Sequence, residues 1–344
     1  MILSEGLGLR YGDENEADIF NEDADNVFRF SPALKIKLFE RLHQQDKLVV
    51  PYSIIKVCKK CRSLGIREFQ LTFHERADRY SSVNSLLDLW GFDSFGDYLY
   101  SVAELGFLEG LIPSLQASFL TPHEFKHLSE IISVFKINYT FDSDASFLGT
   151  SQFEKELTMR QKNLEWALKL GLCVSTGFYL HKKLPLSFYK KKIDSLCDLF
   201  ETYGFINEFV LSFDSNDYNK RATLNSLFQD VLAYAKDSFP SDVGITVPYN
   251  KDVNLDDMKR LGVFDLGTIF CHEMIFSDVK DLGFDLSLLN DQAENLGFTT
   301  IKRFSLRKEF IREERYSKKL GQIFDAYRYR LKKERERFSK NKHK

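Results

Sequence analysis

Apolar residues along the chain switch repeatedly between helical spacing and short continuous runs typical of buried strands. Helices are predicted over residues 32–43, 51–64, 94–105, 121–131, 157–170, 186–203, 222–238 and 255–261. Strands are predicted over residues 27–30, 68–73, 111–115, 136–141, 172–179, 208–213, 244–248 and 263–270. Several of the helices end at a glycine directly before a strand, as helix C-termini commonly do. The sequence pattern therefore predicts a series of alternating helices and strands.

This alternation predicts an α/β fold, because strands separated by helices pair in parallel through right-handed crossovers. Seven or eight such units are typical of a (β/α)8 TIM-type barrel. A doubly wound open sheet is the alternative, although no G-x-G-x-x-G follows the early strands. The barrel is predicted over residues 27–312, with an acidic leader over residues 1–26 and a basic C-terminal helix or tail over residues 313–344.

Length, hydrophobic content and net charge limit the classes of protein to which this chain could belong. With 344 residues and 43% hydrophobic content, the chain is long enough to bury a large core. It has no apolar run of the length that spans a membrane, and the formal net charge is −2. The basic tail alone is a weak signal for nucleic-acid binding. We therefore expect a cytoplasmic protein that binds neither membranes nor nucleic acids.

In a parallel barrel, catalytic residues lie where the strands end. Six residues are predicted near this mouth of the barrel: His74, Tyr179, His181, Tyr249, His272 and Glu273. The three histidines could form a mononuclear metal site, but spacing along the chain does not show that they converge, so no metal is expected. Phe73 and Phe178, with the two tyrosines, could stack on a flat ligand, although aromatic residues are more often part of a core.

A short motif offers a different chemistry. Residues 123–127 read H-E-x-x-H, in which two histidines one helical turn apart bind zinc and the glutamate acts as a base. The motif follows Thr121 and Pro122, which together are typical of a helix start. A capped helix on the outside of the barrel is the preferred interpretation, with Glu124 favoured by the positive end of the helix dipole.

Several short sequence segments of this chain are similar to segments of one enzyme family. They include residues 71–76 (LTFHER), 110–113 (GLIP), 174–177 (VSTG), 203–210 (YGFINEFV), 247–250 (VPYN), 261–267 (LGVFDLG) and 296–298 (LGF). With these segments the chain resembles the radical S-adenosylmethionine (SAM) enzymes of the deazaflavin synthase first subunit and futalosine cyclase group. The resemblance implies a barrel that binds SAM and a 4Fe–4S cluster, and it implies ligand contacts at Glu75, Gly177 and Asn250.

The cysteines depart from the pattern of that family, which carries C-x3-C-x2-C after the first strand. No cysteine occurs in residues 35–47, and the C-x2-C of Cys58 and Cys61 falls in a predicted helix. Where the family has a glycine before the conserved glutamate, this chain has His74. Beyond Gly177 the glycine-rich run of the family is replaced by Phe178 and larger residues. An iron–sulfur cluster is held by thiolates, so no cofactor is expected.

The sequence thus predicts a homologue without a cluster, acting as a binding or accessory protein (a pseudoenzyme). Its partner would be a small aromatic ligand or another protein. One alternative is an active radical SAM enzyme of deazaflavin or menaquinone (futalosine) cofactor biosynthesis, with SAM and a 4Fe–4S cluster. The second alternative is a metal-dependent enzyme that uses His74, His181 and His272.

Overall fold

Parallel strands alternate with helices in the computed structural model, which describes residues 27–42, 45–63, 68–73, 76–117, 119–204, 208–213, 222–240, 243–249, 265–272, 295 and 299–302. The strands are β1 (Val27–Lys37), β2 (Phe39–Leu42), β3 (Gln45–Leu48), β4 (Glu68–Phe73), β5 (Ile112–Ala117), β6 (Val134–Asn138), β7 (Val174–Leu180), β8 (Glu208–Phe213), β9 (Gly244–Tyr249), β10 (Asp265–His272) and β11 (Thr299–Lys302). The helices described are α1 (Pro51–Ser63), α2 (Ser81–Trp90), α3 (Phe95–Leu108), α4 (Pro122–Leu128), α5 (Ser151–Lys169), α6 (Leu186–Tyr203) and α7 (Ala222–Ser238).

Eight of the strands close into a barrel. β1 and β4 to β10 pair in parallel in chain order, and β10 returns to pair with β1 from Arg29 to Ile36. β11 adds a short parallel pairing to the first residues of β1. Closure gives every barrel strand a partner on both sides and leaves no exposed edge. The predicted (β/α)8 barrel is confirmed, and the open doubly wound sheet is wrong.

The apolar core lies between the strands and the helices, as β4 and α3 show. Phe69 and Phe73 are buried on the outer face of β4. A Cβ placed on Gly106 of α3 would lie 2.2 Å from the ring of Phe69, and the rings of Phe73 and Phe95 meet with centroids 5.3 Å apart. The alternate residues of β4 face the inside of the barrel, so one strand separates an apolar layer from a polar one.

The predicted helix over residues 32–43 is wrong. β1 continues to Lys37, and residues 39–48 form an antiparallel hairpin of β2 and β3. Leu34, Ile36 and Leu38 also alternate with a period of two, a pattern that the helical spacing of Leu34, Leu38 and Leu42 obscured. The strand forms because β10 and β4 supply hydrogen-bonding partners along both of its sides.

Other boundaries moved as well. α3 continues to Leu108, past the predicted stop at Gly106, which lies within the helix and packs against the ring of Phe69. α2 was not predicted at all, and the helix predicted to residue 131 ends at Leu128. β6 covers Val134–Asn138 instead of residues 136–141, and α5 begins at Ser151, six residues before its predicted start.

The acidic leader, the helix predicted over residues 255–261 and the basic tail lie outside the described residues, so the domain boundaries stay predictions. Within the part of the chain that the structure describes, no helix combines the length and the apolar character needed to cross a membrane.

Candidate functional site

A polar network crosses the inside of the barrel. Nζ of Lys136 on β6 lies 2.9 Å from Oε1 of Glu68 and donates to Oε1 of Gln70 at 3.0 Å, both on β4. Nε2 of Gln70 then donates to Oε1 of Gln116 on β5 at 2.7 Å. TIM barrels usually fill this space with branched apolar side chains. A hydrogen-bonded lumen here therefore differs from a purely structural core.

A second carboxylate lies on the opposite wall. Glu208 on β8 accepts hydrogen bonds from Oγ of Ser175 at 2.8 Å and from Oγ1 of Thr246 at 2.7 Å. Oγ of Ser114 donates to Oε1 of Glu68. Glu68 and Glu208 are the first residues of strands that lie four positions apart in the eight-stranded ring, so they face each other at the end away from the mouth. We call Glu68, Lys136 and Glu208 the lumen floor.

The two glutamates determine the charge of the lysine. Burial alone would lower the pKa of Lys136, but the charges of Glu68 and Glu208 and the hydrogen bond to Glu68 raise it above the ordinary value. Lys136 is therefore protonated at neutral pH. Its side chain keeps 19% exposure against 5% for Glu68, and Glu208 is also only partly buried, so the floor is not completely closed to solvent.

Replacing Lys136 with methionine should lower the free energy of unfolding by about 2 kcal/mol at neutral pH, less than for a fully enclosed pair because the Lys136 side chain is partly exposed. Because the folded-state pKa lies above the unfolded value of 10.5, the stabilisation is fully present below that pH and is lost as the pH rises through the folded-state pKa. Urea unfolding of both proteins against pH measures this. A difference that does not shrink in strong alkali would contradict it.

Gly177 lies within β7, as the predicted strand over residues 172–179 implied, and the strand continues to Leu180. A Cβ at this position would come within 1.8 Å of the carbonyl oxygen of Val210 on β8. The neighbouring strands approach so closely here that only glycine fits. Gly177 thus has a structural role that accounts for its identity without a ligand.

His181 is buried just after β7 and is held by the fold. Its Nε2 lies 2.7 Å from the carbonyl oxygen of Phe141, and its backbone N–H donates to the hydroxyl of Tyr189 at 2.8 Å. The ring of Tyr179, half-buried at the end of the same strand, lies 5.1 Å from the imidazole ring. The imidazole nitrogen that bonds to Phe141 is thus engaged by the backbone.

Among the other predicted site residues, His74 and Glu273 at the mouth and the ligand contacts Glu75 and Asn250 lie outside the described residues. Tyr249 is the last residue of β9 and His272 is the last residue of β10. Around the barrel, β10 lies three strands away from β7, which His181 follows. Across the described ranges, no group of three histidine, cysteine or acidic side chains is arranged to hold a metal ion. The three-histidine metal site therefore stays an untested alternative.

Two of the aromatic residues predicted at the mouth are core residues. Phe73 packs on α3, as described above, and Phe178 is fully buried with its ring 5.3 Å from that of Tyr189 and 5.6 Å from that of Phe209. Neither ring has a face left for a ligand, because β-strand side chains alternate and both residues lie on the outer face. Tyr179, on the inner face, is the described aromatic residue that keeps partial exposure there.

The H-E-x-x-H motif is a helix cap. Thr121 and Glu124 form a capping box at the start of α4, and Oε2 of Glu124 also lies 2.7 Å from Nη1 of Arg76. The ring of His127 stacks on Tyr100, with centroids 4.8 Å apart, while His123 is exposed. Oε2 of Glu124 is engaged by both the cap and the ion pair, so the preferred sequence interpretation is confirmed.

Replacing Glu124 with alanine should lower the free energy of unfolding by about 1–2 kcal/mol, because the helix loses its cap and Arg76 loses an acidic partner. Replacing the exposed His123 with alanine should change stability by less than about 0.5 kcal/mol. Thermal unfolding of both variants checks this, together with their zinc content. A loss of bound zinc in either variant would contradict the cap interpretation.

The segment after β1, where the resemblance would place a cluster, is connected to the barrel by hydrogen bonds to backbone carbonyls. The N–H of Leu38 donates to the carbonyl of Thr72 at 2.9 Å, and the N–H of Val49 donates to the carbonyl of Leu38 at 2.9 Å. The hydroxyl of Tyr98 donates to the carbonyl of Val49 at 2.8 Å. The hairpin between these residues contains no cysteine, so its side chains do not fit an iron–sulfur cluster.

The C-x2-C pair lies in a helix and not in a loop. Cys58 is fully buried in α1, as part of the apolar core, and Cys61 lies three residues later in the same helix. Cluster thiolates lie in a loop that wraps around the inorganic centre, and a buried helix position does not offer this geometry. The interpretation of Cys58 as a core residue is confirmed.

Reasoning from the sequence missed the lumen floor. Its signal was present in β4, where Glu68, Gln70 and Thr72 alternate with large apolar residues in a strand that is buried on both faces. A polar residue at every second position of a buried barrel strand indicates a polar lumen. Lys136 occupies the corresponding inward position of β6, paired in register with Gln116.

No protein-family model matches the chain. It is 23% identical over 228 residues to the 7,8-didemethyl-8-hydroxy-5-deazariboflavin synthase of Haloarcula marismortui, which covers 65% of this chain and 61% of that protein, less than two thirds of its length. It is 24% identical over 299 residues to the enzyme of the same name from Methanosarcina acetivorans. That match covers 81% of this chain and 85% of the Methanosarcina enzyme.

The fold also matches a solved structure. The crystal structure of HydG, a maturase of the FeFe-hydrogenase, superposes with a TM-score of 0.61 at 10% identity, over 94% of this chain and 79% of that one. At this identity the match shows a shared fold and no more. The chain is therefore similar in sequence to the 7,8-didemethyl-8-hydroxy-5-deazariboflavin synthases, as its motifs predicted, and has the barrel that the resemblance implied.

Proposed function

We propose that this chain is a deazaflavin-synthase-like barrel that binds a small molecule in its lumen without carrying out radical SAM chemistry. The observation that carries the proposal is the cysteine-free hairpin of β2 and β3, which follows β1 where the resembled enzymes have their cluster loop. Reductive cleavage of SAM needs an electron from a cluster that coordinates it, and protein side chains do not supply that function.

The polar lumen supports binding as the retained activity. Buried polar groups cost free energy unless they are paired, so a barrel kept only as a scaffold would favour apolar side chains. Here the lumen carries charged residues, and the side chain of Lys136 keeps 19% exposure. A small molecule with polar groups is therefore the occupant that this interior suits best, and a cytoplasmic location remains our prediction for the protein.

The competing proposal is an active enzyme of deazaflavin or futalosine-type cofactor biosynthesis, and the similarity to deazaflavin synthases favours it. Such an enzyme would need cluster ligands other than those of the family motif. Cys58 would have to leave the buried face of α1, which costs its packing in the core.

Anaerobic reconstitution with iron and sulfide separates the two proposals. We expect no stoichiometric iron or acid-labile sulfide to remain after desalting, and no broad visible absorption. The matched control is the double variant Cys58→Ser and Cys61→Ser. Iron and sulfide bound stoichiometrically by the unmodified chain would contradict our proposal, and their loss in the double variant would identify these two thiols as ligands.

A further inference from the structure

We infer that the lumen above the floor binds the anionic group of a small molecule, a carboxylate or a phosphate, between Lys35 and Lys136. This deepens the proposed function, because it specifies the chemistry of the ligand. The inference starts from β1, whose last residues face the same interior as the floor.

Register places Lys35 beside the floor. Lys35 pairs with Gln70 in the parallel ladder of β1 and β4. Paired residues of neighbouring strands point to the same face of the sheet, about 5 Å apart. Gln70 points into the lumen, because it is bonded there to Lys136 and to Gln116. Lys35 therefore lies on the lumen side, one strand away from the residue that contacts Nζ of Lys136.

Two further positions extend this surface towards the mouth. Lys37 pairs with Thr72 in the same ladder and so shares the inner face. Asn138 ends β6 two residues after Lys136, on the same face of that strand, and is only partly buried. Ammonium and amide groups thus line the wall above the floor, and both are hydrogen-bond donors.

Three of the four carboxylate oxygens of the floor already have partners. Oε1 of Glu68 accepts from Ser114 and contacts Lys136, while both oxygens of Glu208 accept from hydroxyl groups of neighbouring strands. Lys35, in contrast, has no hydrogen-bond or ion-pair partner among the residues that the structure describes, and it is partly exposed. A partly exposed ammonium group without a direct partner, above carboxylates that are largely hydrogen-bonded, favours an anionic ligand.

The number of strands in the barrel limits the ligand to a small molecule. Eight strands enclose a space that side chains nearly fill or that holds one small ligand. Lysine interacts with carboxylate and phosphate as a flexible point charge, so the position of Lys35 does not distinguish these two groups. The experiment must separate them.

Isothermal titration calorimetry at low ionic strength tests the inference on the full chain, with benzoate, succinate and inorganic phosphate as three separate probes. We expect saturable binding of at least one probe at a single site per chain. The variant Lys35→Gln should weaken this binding by about tenfold, as expected for the loss of one charge-assisted hydrogen bond. The variant Lys155→Gln, at an exposed position of α5 outside the barrel, should bind as the unmodified chain does.

The variant Lys35→Arg keeps the charge and should retain most of the binding, which guards against a loss caused by misfolding. The absence of saturable binding for all three probes would overturn the inference. Equal weakening in the Lys35→Gln and Lys155→Gln variants would also overturn it, because the anion would then bind to the general surface. The result is independent of reconstitution: a cluster could form without anion binding, and anion binding could occur without a cluster.

Discussion

Replacing Gly177 with valine should prevent the barrel from folding. Even the first added carbon atom would lie 1.8 Å from the carbonyl oxygen of Val210, and that atom belongs to the backbone of the neighbouring strand. Relief would require β7 and β8 to separate in the middle of the sheet, where they are paired in register from Ser175 to Leu180. We expect a loss of more than about 3 kcal/mol, at the upper end of the range for overpacked sites.

Soluble expression and urea unfolding measure this loss. The matched control is Gly149→Ala, at a glycine with open space around the missing side chain but with a φ of +78°. That substitution should cost only about 1 kcal/mol, from backbone strain alone. If the two variants were equally stable, the close approach of β7 and β8 at Gly177 would be contradicted, and ligand contact would become the better reason for this glycine.

Replacing Asp144 with alanine should destabilise the protein by about 3–5 kcal/mol, because it leaves the guanidinium group of Arg160 buried without its main partner. The two side chains form a bidentate pair, with Nη1 2.6 Å from Oδ2 and Nη2 2.9 Å from Oδ1. The Arg160 side chain is 4% exposed and the Asp144 side chain is fully enclosed. The guanidinium group also lies 4.6 Å from the ring centre of Phe141.

The exposed pair of Glu165 and Lys169 provides the control. Their charged atoms lie 2.6 Å apart, but the side chains are 32% and 46% exposed. Replacing Glu165 with alanine should cost less than about 1 kcal/mol. Chemical denaturation of both variants gives the comparison. Similar losses in the two proteins would show that the Asp144–Arg160 pair is not enclosed as described.

This buried pair also positions the mouth of the barrel. Asp144 lies in the 3-10 turn Asp142–Ser146 that follows β6, and its carboxylate accepts the backbone N–H of Phe141 at 2.9 Å. The carbonyl of Phe141 in turn contacts Nε2 of His181. Loss of Asp144 would therefore loosen the connection between the ends of β6 and β7, and with it the wall next to Tyr179.

The order of elements and several exact boundaries could be read from the sequence. α6, α7 and β8 have the predicted ends, because each combines one clear period with a stop signal or a change of period nearby. Residues 32–43 fit both the helical period and the strand period of two, since the spacing of Leu34 and Leu38 suits a helix as well as one face of a barrel strand. Only the pairing of β1 with two neighbouring strands decided between them.

The candidate site was harder to predict than the fold. Motifs directed attention to residues beyond the strands, whereas the lumen floor lies within them. Whether Lys136 meets Glu68 depends on register and on the stagger of the barrel, which link residues 68 positions apart in the chain. The register and stagger depend on how distant strands pair, and no local sequence pattern specifies them.

Cleavage of SAM by anaerobically isolated protein tests the central claim most directly. The full chain, after reconstitution with iron and sulfide, would be incubated with SAM and a strong reductant, and 5′-deoxyadenosine would be quantified against a sample without reductant. We predict no product above that background, since the hairpin of β2 and β3 holds no thiolates. Reductant-dependent formation of 5′-deoxyadenosine in stoichiometric amounts would contradict the account.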